Sequence, residues 1–417
     1  MKISFVKALA YATVLASLSH AAIAQSQINQ FIRGGVDDAN ALLDAYVSPL
    51  GKSTGANLNA GWVNTAAALK PGRFELKLVG NVAYVPSSAR TYNLDALGLN
   101  VPTTREVGDY TITETWQYRF KRVPTVFGST DNPETIRKVI TYQNPSSGNE
   151  ETAVIAELPI PDGLGASVNP LTPAMQLTVG IPLATEVMIR FLPSAEVASN
   201  EVALNYGGLW GVGVKHNVKQ WFPGFRNLPV SLSVAAAYST TRASVSLPTL
   251  LPEVPPGEAF ADSTLANTGY QGPSVGDADY SGQGTGFRVQ AWNLSALVSK
   301  EFSLISVYGG LRYAHSITTI NLTGTYGFAG EPYYNPENAF DPNNRKFTLV
   351  NLENPVSIHT SHGQVGLAGG FRLTMGFLAL SGEVNLTRYP TASLSLSAGS
   401  LDLVPARRGA KKNLNIW

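Results

Sequence analysis

Histidine is scarce in this chain, with five copies among 417 residues. The segment His359-Thr360-Ser361-His362 is where a base and a hydroxyl are neighbours, as a lipid hydrolase would need. On a β-strand, however, residues three apart point to opposite faces, so these two imidazoles would not converge. The chain also has no cysteine, which excludes thiolate catalysis, disulfides and cysteine zinc sites. We therefore expect no catalytic residue, no metal site and no cofactor.

Several segments of the chain alternate apolar and polar residues, and charged side chains are few in them. If these segments form a barrel, the charged residues are the candidates for binding a ligand in its lumen. The set consists of Arg190, Arg312, Arg372 and Glu383. An inward arginine could hold a carboxylate head group by a bidentate pair. The alternative, which we favour, is a ladder of internal salt bridges, such as Arg372 with Glu383, that braces a closed barrel. Further inward candidates are Glu75, Lys77, Lys215 and, with a poorer fit to the alternation, Arg288.

Two long loops carry the remaining candidates. One is rich in aromatic residues, at Tyr326, Phe328, Tyr333 and Tyr334. Exposed aromatics can form a landing patch for an apolar ligand or a partner protein, or they can fold down over the barrel mouth. The other loop, 250–283, is acidic. It could bind divalent cations that bridge lipopolysaccharide, but a solvated loop is the favoured interpretation.

Both ends of the chain differ from its middle. Residues 1–24 have the two lysines, short apolar run and small-x-small site of a signal peptide, which predicts cleavage after Ala24. Residues 25–56 contain a helical pattern that begins near Asp37 and runs to Pro49. This helix is expected to plug the barrel or to pack on its rim. Residues 404–417 form a basic tail.

Between these ends, residues 57–403 alternate with a period of two. In 74–84, the apolar positions Phe74, Leu76 and Leu78 alternate with Glu75 and Lys77. Elsewhere the polar face is mostly Gly, Ala, Ser and Thr, as in a crowded lumen, whereas the polar face of a soluble sandwich carries many Lys and Glu. The pattern predicts an all-β fold, an antiparallel transmembrane β-barrel of about 14 strands. A soluble β-sandwich or β-helix is the alternative.

The predicted strands follow from the period and the turn residues. They lie near 57–68, 73–86, 108–120, 135–145, 150–160, 174–181, 184–193, 202–218, 229–246, 284–300, 304–321, 358–375, 377–389 and 391–401. Those before residue 173 are the less secure ones, because Pro and Gly interrupt 87–173. The even number puts both long loops on the outer side and the short turns on the periplasmic side.

Composition agrees with this fold class. Charged residues make up only 14% of the chain, below the quarter that is typical of soluble domains. After residue 25 the sequence has no apolar run of the length that a transmembrane helix needs. A net charge of +1 gives no reason to expect a nucleic-acid partner.

Two segments carry a resemblance to known proteins. They are the stretch Gly208-Leu-Trp-Gly-Val-Gly-Val-Lys-His-Asn-Val-Lys-Gln-Trp221 and the stretch from Asp38 through Gly51 into Leu58-Asn-Ala-Gly-Trp-Val-Asn64. The sequence resembles an uncharacterised family of exported bacterial outer-membrane barrels that is distantly similar to the long-chain fatty-acid transporters. That resemblance implies an N-terminal hatch inside a barrel and sideways exit of hydrophobic ligands. It maps no ligand-contacting residue onto this chain.

Together these patterns predict a protein of the bacterial outer membrane. The expected function is a passive channel for small hydrophobic or amphipathic molecules. The alternative is a barrel without transport, acting as a structural or surface-adhesion element through its outer loops, and an outer-membrane hydrolase is a distant third. Expected partners are outer-membrane lipid and lipopolysaccharide, a hydrophobic small molecule, and the barrel-insertion machinery during assembly. An apolar pocket beneath the helix would favour the channel, whereas a lumen filled by side chains would favour the alternative.

Overall fold

The computed structural model describes residues 36–107, 110–132, 134–143, 148–169, 171–198, 203–222, 224, 228–246, 259–260, 279–333 and 346–400. The predicted signal peptide, Tyr334, most of the acidic loop and the basic tail lie outside these ranges. The described part contains one α-helix, α1 (Val36–Asn59), and twenty strands, numbered along the chain.

Ten strands close into an antiparallel barrel. They are β1 (Phe74–Ala83), β8 (Thr172–Ile181), β9 (Thr185–Leu192), β11 (Ala203–Asn217), β12 (Ser231–Ser246), β14 (Gly284–Glu301), β15 (Ile305–Thr323), β18 (Ser357–Met375), β19 (Leu378–Leu386) and β20 (Thr391–Gly399). The order β11-β12-β14-β15-β18-β19-β20-β1-β8-β9 returns to β11 through the β9–β11 pairing. An extra strand, β10 (Ala195–Ala198), pairs with the first residues of β11, where β9 has ended.

Side-chain alternation explains why these segments pair as a closed wall. Along β14, Asn293, Ser295 and Leu297 are buried, whereas Leu294 and Val298 are about half exposed. The same pattern of an apolar outer face and a small or polar inner face runs around the barrel. Outward apolar residues include Val212, Val214, Val307, Leu311, Val365, Leu367, Val384, Leu386, Leu394 and Leu396.

The predicted number of about 14 barrel strands is wrong, and the barrel has ten. The nine predicted strands from 174 onward and the strand near 73–86 all lie in the barrel wall. The segments near 108–120, 135–145 and 150–160 are strands, but they belong to a separate sheet. The segment 57–68 is the end of α1 followed by irregular chain. Period-two alternation marks any half-buried strand, so it does not separate a barrel strand from a strand in an inserted sheet.

Short connections lie at one end of the barrel, at 182–184, 302–304 and 376–377, which we call the turn end. The opposite end, the cap end, carries the insertions. Residues 84–171 include β2 (Thr91–Asn93), β3 (Thr103–Val107), β4 (Tyr110–Gln117), β5 (Arg122–Pro124), β6 (Thr135–Gln143) and β7 (Glu150–Pro159). A second insertion pairs β13 (Ala259–Phe260), β17 (Lys346–Glu353) and β16 (Thr325–Tyr333). The strands β3-β4-β6-β7 form one sheet, and β2-β5 form another.

Helix α1 runs inside the barrel. It contacts β1, β8, β12, β14, β15 and β18, which lie on different sides of the wall. Its first turns, with Leu42 and Leu43, pack in an apolar cluster with Trp116, Ile136 and Tyr326 of the insertions. The helix therefore begins at the cap end and ends in the middle of the lumen. No described helix is long and apolar enough to span a membrane.

The sequence predicts that the helix stops at Pro49, but it continues for ten residues beyond it. Proline removes one helical hydrogen bond and usually breaks an exposed helix. Here the barrel encloses the helix on all sides, and Tyr46 and Ser53 on either side of Pro49 are buried. Tertiary packing therefore overrides the local signal.

Two glycines bring α1 close to the barrel wall. A Cβ built on Gly51 would lie 2.4 Å from Thr318 Oγ1, and one on Gly55 would lie 2.3 Å from both Cβ and Oγ of Ser316. Because Thr318 and Ser316 stand on the paired strand β15, they have little room to retreat. This helix face must therefore be free of side chains.

We expect Gly55→Leu to destabilise the folded barrel by about 1–3 kcal/mol, the usual effect of overpacking, which outweighs the gain in helix propensity of up to about 1 kcal/mol. The measurement is the urea midpoint for loss of the compact band on unheated gels. The double variant Gly55→Leu with Ser316→Gly should recover part of the loss. Equal midpoints for Gly55→Leu and the unmodified chain would show that the helix does not press on this wall.

Candidate functional site

The candidate site is the interior of the barrel, which is occupied by the chain itself. We call α1 together with residues 60–70 the plug. Below α1 the plug runs as irregular chain toward the turn end, where Gly72 N donates to Gly180 O over 2.9 Å. Trp62 and Ala66 in this segment are 2% and 0% exposed, so the lumen around them is closed.

Two buried cations bind carbonyl groups in the last turn of α1 and in the residues that follow it. Arg190 Nη1 donates to Ala60 O over 3.0 Å and to Leu58 O over 3.3 Å. Lys77 Nζ donates to Gly61 O and to Trp62 O, each over 2.9 Å. The last carbonyls of a helix lack intrahelical donors and carry partial negative charge. The wall supplies the positive charge that this helix end needs.

Arg190 also contacts the plug through its guanidinium face, which lies 4.0 Å from the centre of the Trp62 ring. Gln176 Oε1 accepts from Arg190 Nη2 over 3.0 Å, while Gln176 Nε2 donates to Trp62 O over 2.9 Å. Arg190 therefore contacts the Trp62 ring, Gln176 binds the Trp62 carbonyl, and together they fix the orientation of this tryptophan.

Glu383 is the centre of a second group of contacts. Arg312 donates to both of its carboxylate oxygens, over 2.9 and 3.1 Å. Tyr308 Oη donates to Oε2 over 2.9 Å, and the backbone N–H of Gly61 donates to Oε1 over 2.8 Å. Gly61 has φ +67°, which favours glycine. One carboxylate thus joins the wall to the turn that ends the helix.

A third group lies nearer the turn end. Arg372 Nη1 is 2.8 Å from Glu75 Oε2 and donates to Asn64 Oδ1 over 2.9 Å. Asn64 Nδ2 in turn donates to Glu75 Oε1 over 3.0 Å. Asn64 of the plug is therefore hydrogen-bonded to both members of the wall ion pair Arg372–Glu75.

A fourth group fixes the last part of the plug. Lys215 Nζ is 2.9 Å from Glu186 Oε2 and donates to Thr65 O and Ala67 O over 3.0 and 2.7 Å. Glu186 Oε1 accepts from the backbone N–H of Leu69 over 2.7 Å. Each of the four groups joins buried charges of the wall to the plug, three of them through plug backbone and the third through the Asn64 side chain. Buried charges are tolerated where they are paired or hydrogen-bonded in this way.

The structure brings together all four predicted lumen residues, Arg190, Arg312, Arg372 and Glu383, and all are buried. The pair Arg372–Glu383 is not formed. Glu383 faces Gly370 across the β18–β19 register, and the Tyr308 ring lies over Gly370, close to the place where a Cβ would stand. Small residues on β18 therefore let side chains of β15 reach across to β19, which nearest-neighbour reasoning does not anticipate.

Four further residues of these groups were not among the sequence candidates: Glu186, Gln176, Asn64 and Tyr308. A signal existed for Glu186, because alternation places it on the inner face of β9 with Arg190. Asn64 had no such signal, since it lies in irregular chain. Arg288, which fits the alternation poorly, is exposed on the outer face.

The aromatic candidates occupy different places. Tyr326 is 2% exposed and packs in the apolar cluster with the first turns of α1. Phe328 and Tyr333 lie in β16, where only the backbone is described, and Tyr334 lies outside the described residues. Tyr326 therefore covers the barrel mouth.

The two histidines of the His-Thr-Ser-His segment lie on opposite faces of β18. His359 is exposed and lies 3.1 Å from Thr319 Oγ1. His362 faces inward, with its ring 5.6 Å from that of Tyr389 in an edge-on contact. They do not converge on a common substrate position.

A polar cavity of about 80 Å³ lies between the plug and the wall at the turn end. Its lining includes three carboxylates and three cationic side chains, together with backbone of the plug. The charged members are Glu75, Glu186, Glu301, Lys77, Lys215 and Arg372. Apolar side chains such as Trp62, Met188 and Leu304 line the rest of it, so an alkyl chain placed there would also lie against buried charges.

The outer wall carries a row of aromatic rings about midway along its long strands, at the level where the short strand β9 ends. We call this row the aromatic belt: Trp210, Tyr238, Trp292, Tyr313 and His315. Ring centres of Trp210 and Tyr238 are 5.6 Å apart, and Trp292 lies 5.3 Å from both Tyr313 and His315. The height of the belt above the turn end follows from β15. From Ile305, the first residue of this strand, to Tyr313 the chain advances eight residues, which is ~27 Å along the strand or ~20 Å along the barrel axis at the usual tilt.

Comparison with solved structures finds remote similarities. The outer membrane transporter YddB of Escherichia coli matches with 9% identity and TM-score 0.26, over 76% of this chain and 41% of the transporter. The translocator domain of the autotransporter NalP of Neisseria meningitidis matches with 10% identity and TM-score 0.22, over 87% and 97%. The protease OmpT of Escherichia coli matches with 10% identity and TM-score 0.23, over 80% and 98%.

The chain therefore spans less than half of the transporter that it matches. Comparison with curated proteins finds no match. Residues 1–399 match the model of one protein family. The chain belongs to the family of unknown function DUF6588.

Proposed function

We propose that this chain is an outer-membrane β-barrel that its own N-terminal segment holds closed, and that it acts at the cell surface rather than as an open channel. The observation that carries the proposal is the filled lumen, in which buried cations and carboxylates of the wall bind consecutive residues of the plug. The other two supports are the apolar outer wall and the folded insertions at the cap end.

The membrane placement rests on the outer wall. A contiguous band of half-exposed Leu, Val, Ile and Phe is unfavourable in water but is required where strands face lipid. The aromatic belt marks one border of that band, as rings do at membrane interfaces. Exposed Phe74, Phe302 and Phe377 mark the other border, at the turn end.

The orientation follows from loop length. Barrels of this class have short periplasmic turns and longer outer loops, which places the turn end in the periplasm and the cap end outside. Such a barrel would be exported by the predicted signal peptide and assembled by the barrel-insertion machinery. The proposal assigns no catalytic residue and no cofactor.

Planar-bilayer recording tests the closed state. We expect the full chain to give no steady conductance under conditions in which an open porin of similar size conducts. A heat-modifiable band on gels and a need for detergent establish that the sample is a folded membrane barrel. Steady conductance from that sample would overturn the closed state, and a chain that is soluble without detergent would overturn the membrane placement.

A passive channel for small hydrophobic or amphipathic molecules is the second candidate. It is favoured by the polar nature of the plug–wall contacts, since ion pairs can re-form with other partners when a segment moves, and by the resemblance to the fatty-acid transporters. The cavity at the turn end is evidence against a stored apolar ligand, because it is only about 80 Å³ in volume and six charged side chains line it. Mass spectrometry of small molecules that co-purify with the barrel separates the two, because a stoichiometric fatty acid or other lipid would favour the channel.

A further inference from the structure

The outer wall of the barrel carries a pair of arginines that the plug and the lumen do not use. Arg242 on β12 and Arg288 on β14 are both exposed and stand directly opposite each other in the strand register. Directly opposed residues have Cβ atoms ~5 Å apart, and like charges at that separation destabilise a sheet. The repulsion calls for an anionic partner.

No carboxylate of the described residues pairs with either guanidinium. The nearest acidic position on this outer face is Glu196, whose strand β10 lies two strands from β12, or about 10 Å to the side. On the other side, Arg288 is followed in register by Thr319 and then by His359. The arginine pair thus begins a row of polar side chains across four neighbouring strands.

The height of this row on the barrel identifies the surroundings. Tyr238 and Trp292 of the aromatic belt are opposite each other, and the two arginines lie four residues farther toward the cap end on the same strands. Four residues correspond to ~13 Å along a strand, or ~10 Å along the axis of a tilted barrel. The headgroup layer extends roughly 5–8 Å beyond each side of the hydrocarbon core, so the arginine backbone lies just beyond that layer. The long arginine side chains can reach back into it.

The local packing holds Arg242 in place. A Cβ built on Gly207 would lie 2.5 Å from Arg242 Cγ, so the stem of the arginine lies against the glycine. A larger residue at 207 would displace it. The side chain is therefore directed over β11, the neighbour of β12 on the side away from Arg288.

From the opposed charges, their height and their missing acidic partners, we propose that Arg242 and Arg288 form a binding site for a phosphate group of lipopolysaccharide in the outer leaflet. Two guanidinium groups can each donate two hydrogen bonds to phosphate oxygens, a geometry that arginine supplies better than lysine. The site rests on the proposed outer-membrane placement and on the cap end facing outward.

The test compares three forms of the detergent-purified full chain: unmodified, Arg242→Gln with Arg288→Gln, and the control Arg73→Gln with Lys300→Gln. The control removes two exposed basic residues at the turn end, so it matches the loss of charge. Binding is measured by titration with lipopolysaccharide, with enzymatically dephosphorylated lipopolysaccharide, and with inorganic phosphate. Urea midpoints and heat-modifiable bands are recorded for each form.

We expect the arginine variant to bind lipopolysaccharide about tenfold or more weakly, the effect of losing charge-assisted bonds, with an unchanged urea midpoint. The control should bind like the unmodified chain. Dephosphorylation should weaken binding to the unmodified chain by a similar factor, and phosphate alone should compete only at high concentration if the source is the lipid.

Equal binding by the arginine variant and the unmodified chain would overturn the site, as would equal affinity for the phosphorylated and dephosphorylated lipid. Strong binding of free phosphate without a preference for the lipid would reassign the site to a soluble anion and overturn the lipid assignment. Failure of the proposed outer-membrane placement is distinguishable from failure of the arginine site, because in that case the unmodified chain would be soluble without detergent.

Discussion

Glu383→Gln should lower the stability of the folded barrel by about 3–5 kcal/mol, the usual effect of removing one partner of a buried ion pair. The side chains of Arg312 and Glu383 are 2% and 3% exposed, so the arginine would keep a buried charge without its carboxylate. The amide also offers the Gly61 N–H a weaker acceptor. The measurement is the urea midpoint for loss of the compact, unheated band.

A matched control comes from the surface of the insertion. Arg137 and Glu157 form an ion pair at 2.7 Å, but their side chains are 56% and 57% exposed, so Glu157→Gln should change the stability by less than about 1 kcal/mol. The double variant Glu383→Gln with Arg312→Met should be more stable than Glu383→Gln alone, because it removes the unpaired cation. If Glu383→Gln unfolds at the same urea concentration as the unmodified chain, the Arg312–Glu383 ion pair does not stabilise the folded barrel.

Arg190→Ala should release the end of the plug. It removes the donors to the carbonyls of Leu58 and Ala60 and the contact with the Trp62 ring. Hydrogen bonds to a charged group contribute about 1.5–3 kcal/mol, so the population with an open plug should rise about 10- to 100-fold.

The absence of cysteine from the chain makes this release measurable. Ala66, which is 0% exposed, is replaced by cysteine, and its rate of reaction with a water-soluble maleimide is followed with and without Arg190→Ala. Arg190→Lys should react at an intermediate rate, since it keeps the charge but loses the fork geometry.

A cysteine at the exposed position Lys70 is the control and should react quickly in both backgrounds. Equal, slow rates at position 66 in both backgrounds would show that Arg190 does not hold the plug. Fast reaction in the unmodified background would contradict the closed lumen itself.

The sequence by itself determined that the wall is a β-barrel and identified most of the inward charges, although it missed Glu186 and included Arg288, which lies on the outer face. Alternation has a period of two whatever the strand pairs with, so the residue pattern alone assigns Arg190, Arg312, Arg372 and Glu383 to the inner face. The pattern also places a helical segment ahead of the strands, although the change of period predicted at residue 57 comes before the first wall strand, which begins at Phe74.

Tertiary structure decided the strand number, the length of the helix and the use of the charges. An inserted sheet at the cap end has the same alternation as the wall, so only strand pairing shows that β4, β6 and β7 stand outside the barrel. Pro49 is a local stop signal, and only the enclosing wall allows the helix to continue.

The pairing of Glu383 with Arg312 could not be predicted from the sequence for a related reason. The two residues are on strands that are not neighbours, and they meet only because β18 between them presents small residues on its inner face. The plug then completes each charged group, with its backbone in three of them and with the Asn64 side chain in the fourth. Alternation fixes the face of a side chain, but the partner of a buried charge depends on which chain segments the closed barrel brings into its lumen.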